Sequence, residues 1–134
     1  MKTTNYYNTF IAVAPDCPRD TAEAPPERKH KTIARRQYER LVGNPYEYTS
    51  DDVIFSVYAD RDEIPESERD EAREEYFQKG RACLRSSPLA KRYGWGFHFD
   101  EDGKVALYAV ESAEYRKYHG DKRLNQLIAM RSSR

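Results

Sequence analysis

The residue types best suited to binding chemistry lie in one segment, residues 81–100, which reads RACLRSSPLAKRYGWGFHFD. Ser86 or Ser87 can cap a helix whose first turn holds Pro88, a residue without the N–H that would stay unpaired there. Unpaired N–H groups and the helix dipole attract an anion to such a start, and no acidic residue occurs from residue 81 to residue 99. The segment therefore predicts a site for a phosphate or carboxylate group, formed by Arg85, Ser86, Ser87, Lys91 and Arg92. An ordinary serine cap, with the arginines paired to an acidic helix, explains the same residues without a ligand.

A second group of side chains could carry out acid–base or nucleophilic chemistry. His98 and Asp100 share one face of a predicted strand, spaced like an acid–base pair or like two metal ligands. Two ligands are too few for a tetrahedral metal site, so we predict no metal, and no cofactor motif is present. Tyr93 and Cys83 could join His98 only through the fold, and basic neighbours of Cys83 would favour its thiolate. A small enzyme using these residues is our alternative hypothesis, although a polar sheet surface and an inert thiol also account for them.

Known catalytic motifs are absent from the sequence. It contains no phosphate-binding glycine loop, no Gly-x-Ser-x-Gly, no His-Glu-x-x-His and no paired cysteines with metal-ligand spacing. A third hypothesis, a protein–protein interaction domain, rests on segregated charge, since residues 28–40 are strongly basic and residues 60–75 strongly acidic. Runs of this kind are usually solvated helix faces. They identify no partner and leave self-association open.

Composition limits the classes of protein to consider. The chain has 134 residues, enough for one domain spanning residues 1–134, and its 23 basic and 23 acidic residues cancel. A neutral chain lacks the excess of Lys and Arg that general nucleic-acid binding needs. The longest apolar run, residues 105–110, is too short to span a membrane. The N-terminus lacks a signal-peptide segment and the two cysteines form no Cys-x-x-Cys motif, so we expect a soluble, cytoplasmic protein with reduced thiols.

A β-hairpin is the clearest structural signal. Strands are predicted over residues 95–100 and 104–110, with Asp102-Gly103 in the turn between them. The loop has two or three residues, and the choice sets the register of the pair. The aromatic residues of the first strand share one face, as part of the core or as a stacking platform, and are Trp95, Phe97 and Phe99. The second strand is apolar on both faces, which indicates a place inside a sheet.

Helices and one further strand complete the expected elements. Residues 8–14 read as a buried strand that Pro15 ends. Hydrophobic periodicity and end signals predict helices over residues 31–42, 68–79, 112–119 and 121–131. The last of these rests on Leu124, Leu127 and Ile128, which have the i, i+3, i+4 spacing of a helix face.

Residues 50–60 carry conflicting signals. Their β-branched and aromatic residues favour a strand, whereas Thr49 followed three residues later by Asp52 resembles a capping box. We favour the helix. The expected fold is α+β, with a small, mainly antiparallel sheet of at least three strands covered by helices.

Three motifs resemble a known family. They are Asn5–Ile11 (NYYNTFI), Tyr48–Val53 (YTSDDV) and Ser87–Gly96 (SPLAKRYGWG). The family consists of small, free-standing microbial proteins catalogued only as a domain of unknown function, and the resemblance spans nearly the whole chain. It implies a single-domain protein and supplies no activity, cofactor or catalytic residue.

Overall fold

A four-stranded sheet forms the centre of the computed structural model, which describes residues 1–132. Its strands are β1 (Thr9–Ala12), β2 (Trp95–Phe99), β3 (Val105–Ala109) and β4 (Asn125–Ile128). They lie in the order β3-β2-β1-β4, with β4 parallel to β1 and the other two pairings antiparallel. The expected α+β fold and the three predicted strands are thereby confirmed.

Helices pack on this sheet, and side-chain caps explain where most of them begin. In the described residues they are α1 (Ile33–Val42), α2 (Ser50–Arg61), α3 (Arg69–Tyr76), α4 (Pro88–Lys91) and α5 (Ala113–His119). Four of them begin after a side-chain cap that accepts a backbone N–H of the first turn, the caps being Thr32, Thr49, Ser87 and Ser112. The helices predicted over residues 31–42 and 112–119 are confirmed. None of the helices within residues 1–132 combines the length and the apolar character that crossing a membrane requires.

The helix predicted over residues 68–79 is present but shorter. A 3-10 turn, Glu66–Glu68, leads into α3, which ends at Tyr76. The next residue, Phe77, is fully buried, and its carbonyl accepts the N–H of Lys2 at 2.9 Å. A contact with the N-terminal segment thus replaces the last turn of the predicted helix.

The capping pair decides the conflict at residues 50–60 in favour of a helix. The Thr49 hydroxyl accepts the N–H of Asp52 at 3.2 Å, and the Asp52 carboxylate accepts the N–H of Thr49 at 2.9 Å. This reciprocal capping box fixes the start of α2. Apolar side chains on several sides of α2 are buried, which hides the one-sided pattern of a surface helix.

The hairpin loop has three residues, Glu101 to Gly103. Phe99 pairs with Val105, and the N–H of Asp100 binds the carbonyl of Lys104 at 2.9 Å. Gly103 has a φ of +80°, a left-handed conformation that glycine adopts without strain.

The helix predicted over residues 121–131 is wrong, since residues 125–128 form β4. The N–H of Asn125 binds the carbonyl of Asn8 at 2.8 Å, and the N–H of Ala129 binds that of Ala12 at 2.9 Å. Without β4, the outer edge of β1 would leave backbone groups unpaired. This tertiary pairing outweighs a stripe of three apolar residues, of which Ile128 is 49% exposed.

The two faces of the sheet are covered by different helices. Ile11, Phe97 and Phe99 are fully buried in a core shared with α1, α2 and α4. Trp95, on the same face, is half-buried, and its indole N–H donates to the carbonyl of Glu23 at 2.9 Å. The opposite face packs against α5 through the contact of Phe10 with Tyr115. Phe97 and Phe99 are therefore core residues rather than a stacking platform.

The N-terminal segment is held to the helices by a buried carboxylate. Asp51, 1% exposed, accepts hydrogen bonds at 2.7 Å from the Thr3 hydroxyl, the Thr4 hydroxyl and the Thr4 N–H. The chain then continues to Tyr6, whose ring packs beside Phe99 with ring centroids 5.4 Å apart. This arrangement carries the N-terminal segment to the same side of the sheet as the predicted anion site.

Candidate functional site

A cleft of about 340 Å³ lies between α1, α2 and the segment that precedes α4. From α2 it receives four side chains at the i, i+3, i+4, i+7 spacing of one helix face, namely Ile54, Val57, Tyr58 and Arg61. The other walls are Ile33 and Gln37 from α1, together with Tyr76, Ala82, Cys83, Ser86, Ser87 and Pro88. The volume falls within the range of about 300–1,000 Å³ that is usual for small-molecule sites. Two residues of the predicted anion site, Ser86 and Ser87, are thus part of a cleft.

The backbone N–H groups at the helix start beside the cleft are hydrogen-bonded within the protein. The Ser87 hydroxyl accepts the N–H of Leu89 at 3.2 Å. The N–H groups of Ser86 and Ser87 bind the carbonyls of Cys83 and Leu84 at 3.0 Å each, and Pro88 has no N–H. The backbone donors that we expected an anion to use are therefore taken, and the donors that remain are side chains.

Gln37 supplies a free donor to the cleft. Its side chain lines the cleft although the residue is only 6% exposed. The Ser87 hydroxyl donates to Gln37 Oε1 at 2.5 Å, so Nε2, the donor end of the amide, is not used in this bond. Nε2 has no hydrogen-bond partner among residues 1–132. Among these residues, Nε of Arg36 is the only enclosed side-chain nitrogen or oxygen without a partner. Gln37 Nε2 is therefore not enclosed, and it opens onto the cleft that Gln37 lines.

Arg61 gives the cleft its charge. It is the exposed last residue of α2, and no carboxylate of residues 1–132 forms an ion pair with it. The cleft has no acidic residue among its described lining. Tyr58 and Tyr76 stack beside Arg61 with ring centroids 4.4 Å apart. Burial raises the pKa of Tyr76, an effect that the charges of Arg81 and Arg61 oppose, so its hydroxyl stays protonated.

Cys83 brings a thiol to the wall of the cleft. Its Sγ lies 3.0 Å from the hydroxyl of Tyr6, and the thiol is not in a disulfide. Burial, followed by this hydrogen bond, raises the pKa of Tyr6 to about 12. Tyr6 therefore remains a neutral hydroxyl beside the sulfur.

The basic residues of the predicted anion site lie outside the cleft. Arg85 donates from Nε and one terminal nitrogen to the carbonyl of Ile128, at 3.0 and 2.9 Å. Its guanidinium thereby covers the outer edge of β4. Lys91 is the last residue of α4, and Arg92 lies in a separate depression that it shares with Arg19 and Tyr93.

His98 lies on the opposite face of the sheet, enclosed by tyrosines. Its Nδ1 is 2.7 Å from the hydroxyl of Tyr46, which is 2.8 Å from the hydroxyl of Tyr108. The Tyr118 ring stacks on the imidazole, with centroids 4.0 Å apart. Burial lowers the pKa of His98 and raises that of Tyr46, so both side chains are neutral near pH 7.

The four catalytic candidates do not meet in the structure. Cys83 lies beside α1 and α2 at the cleft, whereas His98 is on the face of the sheet that α5 covers. The Asp100 carboxylate accepts the N–H groups of Asp102 and Lys104 within the hairpin turn, at 2.9 Å each. The Tyr93 ring lies under the guanidinium of Arg19, 4.9 Å away. Among residues 1–132, no group of three His, Cys, Asp or Glu side chains could hold a metal ion.

Gln37 and Arg61 are candidate site residues that the sequence does not reveal. Each lies within an ordinary helical pattern, and only the packing of α1 beside α2 brings them to one cleft. The one available signal is that Gln37 stands among the apolar positions of α1, where a polar residue needs a partner.

Comparison with known proteins places the chain in a family. Neither curated proteins nor solved structures give a match. A family model described as a family of unknown function (DUF6157) matches residues 1–134, so the chain belongs to this family, and the resemblance carried by its three motifs is confirmed.

Proposed function

We propose that this protein is a binding module that holds a small ligand bearing a carboxylate or phosphate group in the cleft between α1, α2 and residues 82–88. The observation that carries the proposal is the Gln37 amide, nearly buried and with Nε2 unpaired among the described residues. Nε2 opens onto the cleft and is not used by the described residues, so it is available to an acceptor group of a ligand. Arg61 adds a positive charge to the same cleft.

We also propose that the protein is cytoplasmic. Cys17 and Cys83 are both free, and cysteines stay reduced in the cytoplasm. The enzyme hypothesis, based on His98 with Asp100, Tyr93 or Cys83, is less well supported. Cys83 and Tyr93 lie away from His98, and the Asp100 carboxylate is bonded to backbone N–H groups of the hairpin turn. The interaction-domain hypothesis is weakened by the ion pair that Arg40 of the basic run forms with Asp60 of the acidic run.

The proposal is tested by titrating labelled protein with octanoate and with octyl phosphate and following amide resonances. We expect changes at the Gln37 side-chain amide and at backbone amides of residues 82–87. Ala82 is exposed at the wall of the cleft, so Ala82→Trp should fill the cleft and abolish these changes without disturbing the core.

Ala113→Trp is the matched control, since Ala113 is exposed on α5 at the other face of the sheet. It should bind as the parent does. If neither probe shifts the resonances of the cleft, or if Ala82→Trp responds as the parent does, the cleft is not a ligand site.

A further inference from the structure

We infer that the ligand of this cleft is an amphipathic monocarboxylate, an apolar body with one carboxylate, rather than a phosphate ester. The inference rests on the proposed function and narrows it to one chemical class. It follows from the number of charges and free donors in the cleft and from the character of its walls.

The polar groups of the cleft match a single negative charge. Arg61 is the one described lining residue with a full charge, and Gln37 Nε2 is a neutral donor. A guanidinium pairs with a carboxylate through two parallel hydrogen bonds. A phosphate monoester carries up to two charges, and among the described lining residues no second cation faces the other charge, because Arg81 is held against the Tyr76 ring and its backbone carbonyl. The backbone N–H groups that could have compensated it at the start of α4 are bonded within the protein.

The walls of the cleft suit an apolar body. Ile54 and Val57 form its floor on α2, and Ile33, 44% exposed, lies at the start of α1. Tyr58 and Tyr76 add two stacked rings. Ile54 and Val57 are themselves buried, so the apolar surface that a hydrocarbon chain or ring would cover is that of Ile33 and of the two half-buried tyrosine rings.

The experiment compares three probes that share one chain and differ in the head group, which are octanoate, octyl phosphate and octanol. Dissociation constants are measured by calorimetry or by resonance titration. We expect octanoate to bind about tenfold more tightly than either of the others, the difference that one charge-assisted contact supplies.

Two variants test the head-group contacts. Arg61→Gln removes the charge. Gln37→Glu keeps an acceptor for the Ser87 hydroxyl and replaces the Nε2 donor by a carboxylate oxygen, which repels an anionic head group. Each should weaken octanoate binding to about the level of octanol, roughly tenfold, and leave octanol binding unchanged. Lys122→Gln removes a charge from an exposed residue between α5 and β4, and should bind all three probes as the parent does.

The outcomes separate the two proposals. If octyl phosphate binds as tightly as octanoate and also depends on Arg61, the cleft is a ligand site but the monocarboxylate inference is wrong. Equal binding of octanol and octanoate, unaffected by both variants, would also overturn the inference while leaving an apolar binding site. If none of the three probes binds, both the inference and the proposed function fall.

Discussion

At the scale of single residues, His98 combines near-complete burial with a side chain that titrates close to neutral pH. Groups from several elements face it. Tyr46 bonds Nδ1, Tyr118 of α5 covers the ring, and the charges of Asp100, Asp121 and Lys117 act on it. The two carboxylates favour the protonated ring, but burial outweighs them and lowers its pKa.

This lowered pKa predicts a loss of stability in mild acid. The unfolded chain, in which histidine has a pKa of about 6.5, binds a proton at a pH where native His98 does not. The stability that His98 contributes is therefore complete above about pH 6.5 and is lost as the pH falls toward the native pKa. The free energy of unfolding from denaturant melts should decrease between about pH 7 and pH 5, by at most about 1.4 kcal/mol per pH unit for this one group.

His98→Phe keeps a ring against Tyr118 but cannot titrate, so its stability should fall less steeply with decreasing pH than that of the parent. His30→Phe changes an exposed histidine and should leave the slope of the parent unaltered. Parallel slopes for parent and His98→Phe would show that His98 has the same pKa in the native and unfolded states.

At the scale of elements, the contact between β2 and α5 depends on a residue without a side chain. A Cβ on Gly96 would lie 2.7 Å from Cε2 of Tyr115 and 2.8 Å from Cζ of Phe10. These two rings meet edge to face with centroids 5.0 Å apart, and the Tyr115 hydroxyl accepts the N–H of Val13 at 2.9 Å. The methyl group would therefore push α5 away from the sheet.

Gly96→Ala should lower the free energy of unfolding by about 1–3 kcal/mol, the usual cost of overpacking a core. Hydrogen exchange at the amides of α5 should become faster by more than at those of α1. Gly43→Ala is the control, because nothing lies within 4 Å of its Cβ position, and it should be as stable as the parent. Unchanged stability of Gly96→Ala would mean that α5 accommodates a methyl group at no cost.

The elements that the sequence predicts well are those with local signals. The hairpin is marked by Asp102-Gly103, and α2 by its capping box at Thr49. β4 has no such signal, because it forms by pairing with the open edge of β1. The apolar spacing of Leu124, Leu127 and Ile128 instead resembles a helix face. The cleft is equally non-local. Ser86 and Ser87 are predicted from their cap, whereas Gln37 and Arg61 come to line the same cleft only when α1 and α2 pack together.

Over the molecule as a whole, the basic and acidic runs of the sequence meet at one partly exposed ion pair among residues 1–132. Arg40, from the basic run, reaches the carboxylate of Asp60 at 3.0 Å, and Arg69 reaches the same carboxylate at 3.1 Å. Arg73 of α3 pairs with Asp52 of α2 at 2.9 Å. These ion pairs thus join α1 to α2 and α2 to α3.

Asp60 is the shared member of this network, so Asp60→Asn tests what the network contributes. The Asp60 side chain is 36% exposed, and solvent screening keeps the expected loss small, about 1 kcal/mol at low salt. The loss should shrink as sodium chloride is added, because partly exposed ion pairs are screened. Glu74→Gln, a similar change at an exposed position of α3 outside its first turn, should be as stable as the parent. If Asp60→Asn matches the parent in denaturant melts at low salt, the paired charges do not stabilise the fold. The basic residues 28–40 and the acidic residues 60–75 would then be available to bind a partner protein, which would favour the interaction-domain hypothesis.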